Sequence, residues 1–146
     1  MIDPSKKNLL ESIELLFFAY RAFTAPPDQI LAKRGLSRTH HRLLYFVGRN
    51  PHISVNSLRE ILGISKQAMN APLRQLIEQK LIEGVSAQHD KRVKELKLTK
   101  DGVDLEKQLT ETQMTQLSSV FELCGDKAAE NWRKVMRKLS SSILKI

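Results

Sequence analysis

The chain has 146 residues, of which 41% are hydrophobic, and it carries a net charge of +8. This is enough apolar material for one ordinary core, and no apolar run approaches the roughly 20 residues that a membrane-spanning helix needs. The single cysteine excludes an internal disulfide and favours a reducing cytoplasm. Glu11 and Glu14 interrupt the apolar run that a signal peptide would require.

The positive charge is concentrated in the middle of the chain. Residues 33–100 hold 14 basic and 5 acidic side chains, a local charge of +9, whereas the rest of the chain sums to −1. Such asymmetry is typical of a surface that faces a polyanion. The composition therefore predicts that a nucleic-acid contact, if there is one, lies within this segment.

The N-terminal segment predicts a helix from Ser5 to about Thr24. Its apolar residues occupy more than one face, and they are Leu9, Leu10, Ile13, Leu16, Phe17, Phe18, Tyr20 and Phe23. The run Ala25-Pro26-Pro27 is expected to end this helix, because proline lacks the amide hydrogen that a helix interior uses. A second helix is expected to begin after the N-cap Ser37 and to stop at Asn50-Pro51.

Residues 54–77 predict two helices joined by a tight turn. Ser54 can cap the first helix, because its hydroxyl can accept a hydrogen bond from an orphaned backbone amide. That helix carries one apolar stripe, formed by Leu58, Ile61 and Leu62. Gly63 then supplies the left-handed residue that often follows a helix, and Ser65 caps the next helix. So short a link makes the helices cross steeply, as in a helix-turn-helix.

The second of these helices presents two different faces. Its core spacing is occupied by Met69, Leu73, Leu76 and Ile77. Its N-terminal part carries the candidate DNA-binding residues Ser65, Lys66, Gln67, Asn70 and Arg74. These polar types pair with base edges or phosphates, and in a helix-turn-helix the start of the second helix reaches the bases. A solvated surface face is the alternative, and the position just after Gly63 favours base recognition over it.

Pro72 lies inside this second helix. A proline in a helix interior removes a hydrogen bond and clashes with the preceding turn, at a cost of roughly 3 kcal/mol. The sequence therefore predicts a kink or a loosened turn between Ala68 and Pro72.

A hairpin is expected next, with arms Leu81–Val85 and Val93–Leu98 around the polar segment Ser86–Arg92. The second arm alternates apolar and charged residues, which is the period of a half-buried strand. The candidate DNA contacts of this wing are Arg92 with Lys91 and Lys94. Asp90 is expected to pair with an arginine and so to hold the tip in shape. A plain surface turn is the alternative.

In these features the chain resembles the MarR family of bacterial winged helix-turn-helix transcriptional regulators. The motifs that carry the resemblance are Leu36-Ser37, Leu62-Gly63-Ile64-Ser65, Asp90-Lys91-Arg92 and Leu98-Thr99-Lys100-Asp101-Gly102. The resemblance implies a mainly α fold with a two-stranded β wing, and a homodimer on a pseudo-palindromic operator in double-stranded DNA. It also implies release by a small ligand or an oxidant. The simplest function of such a regulator is that of a repressor that occludes a promoter. Pro72 departs from the pattern and puts individual base contacts in doubt.

The ends of the chain predict a dimerisation region. A helix is expected from Thr99 to about Cys124, followed by a turn at Gly125-Asp126 and a last apolar helix. Together with the first helix, these have more apolar surface than a compact winged helix needs, which favours an isologous two-fold dimer over a larger core. We therefore expect dimerisation helices in residues 1–30 and 103–146, and a winged helix-turn-helix domain in residues 31–102.

Weaker candidate sites remain. Arg38 and His41 lie near a helix start and are candidates for phosphate contacts. An effector pocket for a small aromatic acid is a further hypothesis, with ordinary packing as its alternative, and its residues are Phe17, Tyr20, Arg21 and Tyr45. Cys124 is expected to be structural rather than an oxidant sensor, since nearby acidic groups and the helix end oppose thiolate formation.

The sequence contains no catalytic set, phosphate loop or metal-ligand spacing, so no enzyme activity, cofactor or metal is expected. Two functions besides a regulator remain open. One is a winged-helix module that binds protein, and the other is a non-specific, architectural nucleic-acid binder.

Overall fold

The computed structural model describes residues 3–92 and 94–144. Helices account for most of these residues, and the elements in chain order are α1 (Pro4–Ala32), α2 (Arg38–Arg49), β1 (Ile53–Ser54), α3 (Val55–Leu62), α4 (Lys66–Glu78), β2 (Ile82–Ser86), β3 (Lys94–Leu98), α5 (Lys100–Cys124) and α6 (Ala128–Leu144). The chain divides into two compact units, Met1–Gln113 and Met114–Ile146. None of the described helices combines the length and apolar content that crossing a bilayer requires.

The hydrophobic core of the first unit lies beneath the helix-turn-helix. Its fully buried side chains come from the end of α1, from α2 to α4, from the sheet and from the first half of α5, and they include Leu31, Leu43, Leu44, Leu58, Met69, Leu76, Leu81, Leu96, Leu105 and Leu109. The predicted core position Ile77 is wrong, because this residue is 42% exposed. Ile61, in the apolar stripe of α3, is also 43% exposed. Ile77 lies about 100° around the helix from Leu76 and therefore at the edge of the buried stripe.

The first helix continues past its two prolines, contrary to the expected break. It stays α-helical from Pro4 to Ala32, with Pro26 and Pro27 inside it. Thr24, Pro27 and Leu31 are buried at spacings of three and four, so one buried stripe packs on both sides of the prolines. Burial of this stripe offsets the amide hydrogen bonds that the prolines cannot make.

The helix-turn-helix is built as its sequence predicts. The Ser54 hydroxyl accepts a hydrogen bond from the Ser57 amide at 3.1 Å and caps α3. Gly63 ends α3 in the left-handed region, with φ +63°. The Ser65 hydroxyl then accepts from the Ala68 amide at 3.1 Å and caps α4.

Pro72 does not interrupt α4, which is α-helical at every residue from Lys66 to Glu78. The expected loosening between Ala68 and Pro72 therefore does not open the helix. Met69, Leu73 and Leu76 are buried on both sides of the proline and hold the two turns to the same core.

The wing is an antiparallel pair of strands to which β1 adds a short third strand, in the order β1-β3-β2. β2 and β3 are in register from Ile82 opposite Leu98 to Ser86 opposite Lys94. The predicted start of the second arm, Val93, lies outside the described residues. This register projects the segment after Ser86 as the tip of the wing.

A network of backbone contacts joins the wing to α5. The Thr99 hydroxyl donates to the Lys80 carbonyl at 2.6 Å and accepts from the Gly102 amide at 3.0 Å. The Thr99 amide donates to the Leu81 carbonyl at 3.1 Å. A Cβ at Gly102 would lie 1.9 Å from that same Leu81 oxygen, so only glycine fits there. This geometry accounts physically for the Leu-Thr-x-x-Gly run.

Candidate nucleic-acid interface

The start of α4 presents a polar face to solvent. Every sequence-predicted residue of this face is exposed, namely Ser65, Lys66, Gln67, Asn70 and Arg74. The opposite side of the helix is buried by Met69, Leu73 and Leu76. The helical repeat places Gln67 and Arg74 near the centre of the exposed arc, with Asn70 beside them. We call these five residues the recognition face.

The cations of the recognition face have no ion-pair partner among the described residues. Neither Lys66 nor Arg74 has a carboxylate within 4.0 Å in the part of the chain that the structure describes, whereas Lys97 pairs with Glu83 at 3.1 Å on the wing. The two charges on the recognition face are thus available to an external anion or base edge.

The tip of the wing is shaped by an internal ion pair, as predicted. The Arg92 guanidinium donates to both oxygens of the Asp90 carboxylate, with Nε–Oδ1 and Nη2–Oδ2 distances of 3.2 Å. The Arg92 backbone amide also donates to Asp90, at 3.0 Å. These bonds lower the pKa of Asp90 below its ordinary value. The Arg92 side chain nevertheless stays 91% exposed, so the pair fixes its position and leaves it accessible. Lys91 and Lys94 are exposed beside it.

The two candidates for phosphate contacts are constrained by their neighbours. Arg38 donates from Nε to Asp28 at 2.8 Å, and its guanidinium lies 5.5 Å from the centre of the Tyr20 ring. His41 is buried at 8% exposure, and its Nε2 atom has no hydrogen-bond partner among the described residues. Burial lowers the pKa of His41 and so favours the neutral ring. A buried, neutral imidazole offers little to a phosphate, which argues against that expectation for His41.

The residues of the expected effector pocket are largely open to solvent in the single chain. Phe17 is 64% exposed, and its ring packs edge-on against Phe18. Tyr20 accepts a hydrogen bond from Arg42, and Arg21 is exposed. Tyr45 is half-buried, between Phe46 and the Arg49 guanidinium. These residues alone do not enclose a pocket, so an enclosed pocket here would need residues from elsewhere, such as a second copy of the chain.

Cys124 is exposed at the end of α5, and its expected structural role stays a prediction. The last buried residue of α5 is Leu109. Among the described residues, no three histidine, cysteine, aspartate or glutamate side chains are placed to hold a metal ion together.

Two features of α4 were not predicted from the sequence. Ala71 is exposed next to Asn70 and Arg74, and a small apolar group in this position can contact the methyl group of thymine. Gln75 bonds to His40, a residue 35 positions away. Helical spacing places Ala71 next to the recognition face, whereas no local signal predicts the Gln75 contact.

Comparison with known proteins places this geometry in a family. A model described as MarR family matches residues 34–93. The HTH-type transcriptional regulator PetP of Rhodobacter capsulatus is 38% identical over 133 residues, which cover 91% of this chain and 80% of PetP. The fold is similar to that of Streptococcus pneumoniae FabT in complex with DNA, with a TM-score of 0.82 and 16% identity over 94% of this chain and 98% of FabT. It is also similar to NadR in complex with 4-hydroxyphenylacetate, with a TM-score of 0.72 and 19% identity over 86% and 89% of the two chains. The chain therefore belongs to the MarR family of winged-helix transcriptional regulators.

Proposed function

We propose that this protein binds double-stranded DNA as a homodimer, at a pseudo-palindromic operator, and regulates transcription from an adjacent promoter. Repression by occlusion of that promoter is the simplest mode. The observation that carries the proposal is the recognition face, where exposed amides, and cations with no ion pair to any residue that the structure describes, follow the turn of a helix-turn-helix. The solved complex of FabT with DNA, whose fold is similar, supports it. A chromosomal operator would place the protein in the bacterial cytoplasm.

The chemical groups of each side chain on and beside the recognition face indicate whether it contacts a base or a phosphate. Arg74 and Lys66 suit the acceptors of guanine, and Gln67 and Asn70 suit the donor and acceptor pair of adenine. Ala71 suits the methyl group of thymine. Ser65 lies at the N-terminus of α4, where a phosphate is stabilised by the helix dipole. Arg38, held by Asp28, is the weaker phosphate candidate.

Dimerisation through the terminal helices is the second part of the proposal. The first half of α1 exposes large apolar side chains, including Leu9, Leu10, Ile13, Leu16 and Phe17. In the second unit, α6 has no buried residue and exposes Val135, Leu139 and Ile143 at helical spacing. Apolar stripes of this kind are covered most simply by a second copy. Residues 1–30 and 103–146 would then dimerise and residues 31–102 would bind DNA. A two-fold dimer places its recognition helices about 34 Å apart.

Selection of bound fragments from a pool of random duplexes tests the function as a whole. We expect the recovered fragments to share an inverted repeat, bound at least ~10³-fold more tightly than scrambled duplex. Affinity should fall steeply as salt rises, because phosphate contacts release counterions. Equal affinity for all sequences would indicate an architectural protein. Failure to bind any duplex would indicate a winged-helix module that binds protein instead of DNA.

Arg92→Ala should weaken operator binding while dimerisation stays intact. The side chain is exposed at the tip of the wing, where a cation reaches the phosphates or the narrow minor groove. A dimer loses one phosphate contact in each half-site, so the salt dependence of log affinity should fall by about two units. Affinity measured over a salt series checks this, with Lys107→Ala as the control, since Lys107 is also exposed but lies on α5. An Arg92→Ala protein with parental affinity and salt slope contradicts the role of the wing.

A small aromatic carboxylate is the proposed effector, contacted by Phe17, Tyr20, Arg21 and Tyr45 in the dimer. The similar fold of NadR in complex with 4-hydroxyphenylacetate supports a ligand of this class. Salicylate at millimolar concentration should release the operator, and benzyl alcohol, which is of similar size but uncharged, should not. Retention of the DNA, together with no binding of salicylate to the free protein, rules the proposal out.

A further inference from the structure

His40 connects the start of α2 to the recognition helix α4. The side chain is 5% exposed and lies in the first turn of α2. The Ser37 backbone amide donates to its Nδ1 atom at 3.0 Å, and its Nε2 atom lies 2.7 Å from Gln75 Oε1 on α4. Both ring nitrogens are therefore engaged, one by the cap of α2 and the other by α4.

The chemistry of these partners fixes the form of the ring. A backbone amide can only donate, so Nδ1 must carry a lone pair towards Ser37. In a neutral imidazole the hydrogen is then on Nε2, which donates to the Gln75 amide oxygen. The bond is directional and buried at the His40 end, where a broken hydrogen bond leaves a polar atom without water.

A second contact joins the same edge of α4 to the same part of the chain. Gln79, one turn after Gln75, donates from Nε2 to the Arg34 carbonyl at 3.3 Å. Arg34 and Ser37 both belong to the connection between α1 and α2. Arg38, which follows Ser37, donates to Asp28 of α1. A chain of hydrogen bonds thus leads from α1, through the start of α2, to α4.

The apolar core alone would hold α4 less tightly. Met69, Leu73 and Leu76 fix which face is buried, but apolar contacts are non-directional and tolerate small rotations. With side chains reaching roughly 5–6 Å from the helix axis, a rotation of about 10° would move the tip of Arg74 by about 1 Å. A shift of that size is enough to spoil a bidentate contact with a base.

We propose that His40 is a positioning residue for DNA recognition, which sets the rotation of α4 through Gln75 and couples it to the α1–α2 connection. This inference rests on the proposed function. His40 itself touches no base. Its substitution should therefore reduce the preference for operator over random DNA and leave the sequence-independent affinity nearly unchanged.

His40→Gln separates positioning from capping. A glutamine at the third position of a helix can still accept from the N-cap amide of Ser37, as in a capping box. It does not have the second ring nitrogen that reaches Gln75. We expect His40→Gln to lower the ratio of operator to scrambled-duplex affinity about tenfold, as expected when one base contact in each half-site is weakened but not lost. Thermal stability should stay close to that of the parent.

Gln75→Met removes the same His40–Gln75 hydrogen bond by changing its acceptor. It keeps the length of the side chain and removes the acceptor oxygen, and Gln108→Met on the exposed side of α5 is the matched control. The double variant His40→Gln/Gln75→Met should be no worse than either single variant, because both remove one interaction. Should His40→Gln instead retain the parental ratio, or should the two effects multiply, the positioning role is overturned.

Nitrogen NMR of the His40 ring reports its tautomer without DNA, and so tests the positioning contact independently of the proposed function. In the parent, Nδ1 should be unprotonated and Nε2 protonated, and Gln75→Met should shift the Nε2 signal. A parent protein without operator preference would refute the function while leaving this tautomer in place. Protonation at Nδ1 in the free protein would refute the positioning contact itself.

Discussion

Gly102→Ala is expected to destabilise the first unit severely. The new Cβ would lie 1.9 Å from the Leu81 carbonyl oxygen and 2.9 Å from its carbonyl carbon. Both atoms are backbone, so no side-chain rotation relieves the clash. The same oxygen accepts from the Thr99 amide at 3.1 Å, so moving it away also disturbs that bond. We expect a loss of at least about 3 kcal/mol, the upper end for overpacking, and a fall in Tm of roughly 10 °C.

Gly48→Ala is the matched control for this prediction. Gly48 also lies in a helix, and its added Cβ would meet only side-chain atoms, the end of Leu98 at 3.0 Å and Glu106 Cγ at 3.9 Å. The Leu98 methyl group can rotate away, and alanine favours the helix by about 1 kcal/mol over glycine. Thermal unfolding of the two variants compares them directly. If the Gly102→Ala protein is as stable as the Gly48→Ala protein, then Gly102 and the Leu81 carbonyl are not packed as closely as described.

Arg74→Ala is expected to have the largest effect on DNA recognition. Arg74 lies within the exposed arc of α4 and has no ion-pair partner among the described residues. A bidentate contact with guanine discriminates by about 1–3 kcal/mol. A dimer loses this contact in both half-sites, so the preference for operator should fall by roughly 30-fold or more. Binding of the operator and of a scrambled duplex at one salt concentration measures this.

Arg74→Lys distinguishes a base contact from a phosphate contact. Lysine keeps the charge, so affinity for scrambled duplex should stay near that of the parent. It lacks the planar fork of arginine, so the preference for operator should still fall. If Arg74→Ala weakens the binding of both duplexes equally, and Arg74→Lys restores both, then Arg74 contacts phosphate and does not read sequence.

The parts of the fold that were predictable depend on neighbours in sequence. Ser54 and Ser65 cap helices through amides three residues later, and Gly63 ends α3 by its own backbone conformation. Asp90 and Arg92 are two residues apart, so their pairing followed from the composition of the turn. Local chemistry of this kind is visible in a single sequence.

The parts that were wrong depend on tertiary burial. The prolines of α1 predicted a break, but burial of Thr24, Pro27 and Leu31 extends the helix to Ala32. For the candidate site, helical spacing identified the polar face of α4, whereas its link to His40 spans 35 residues and has no local signature. Histidine is a residue type that can contact phosphate, but His41 is buried.

Above all, we propose that two copies of this chain bind one DNA duplex with a fixed separation between their recognition helices. Affinity for the selected operator, with and without five base pairs inserted between its half-sites, tests it most directly. Half a helical turn of insertion rotates one half-site to the opposite side of the duplex, so we expect affinity to fall to the level of scrambled DNA. Equal affinity for the two duplexes would contradict the account.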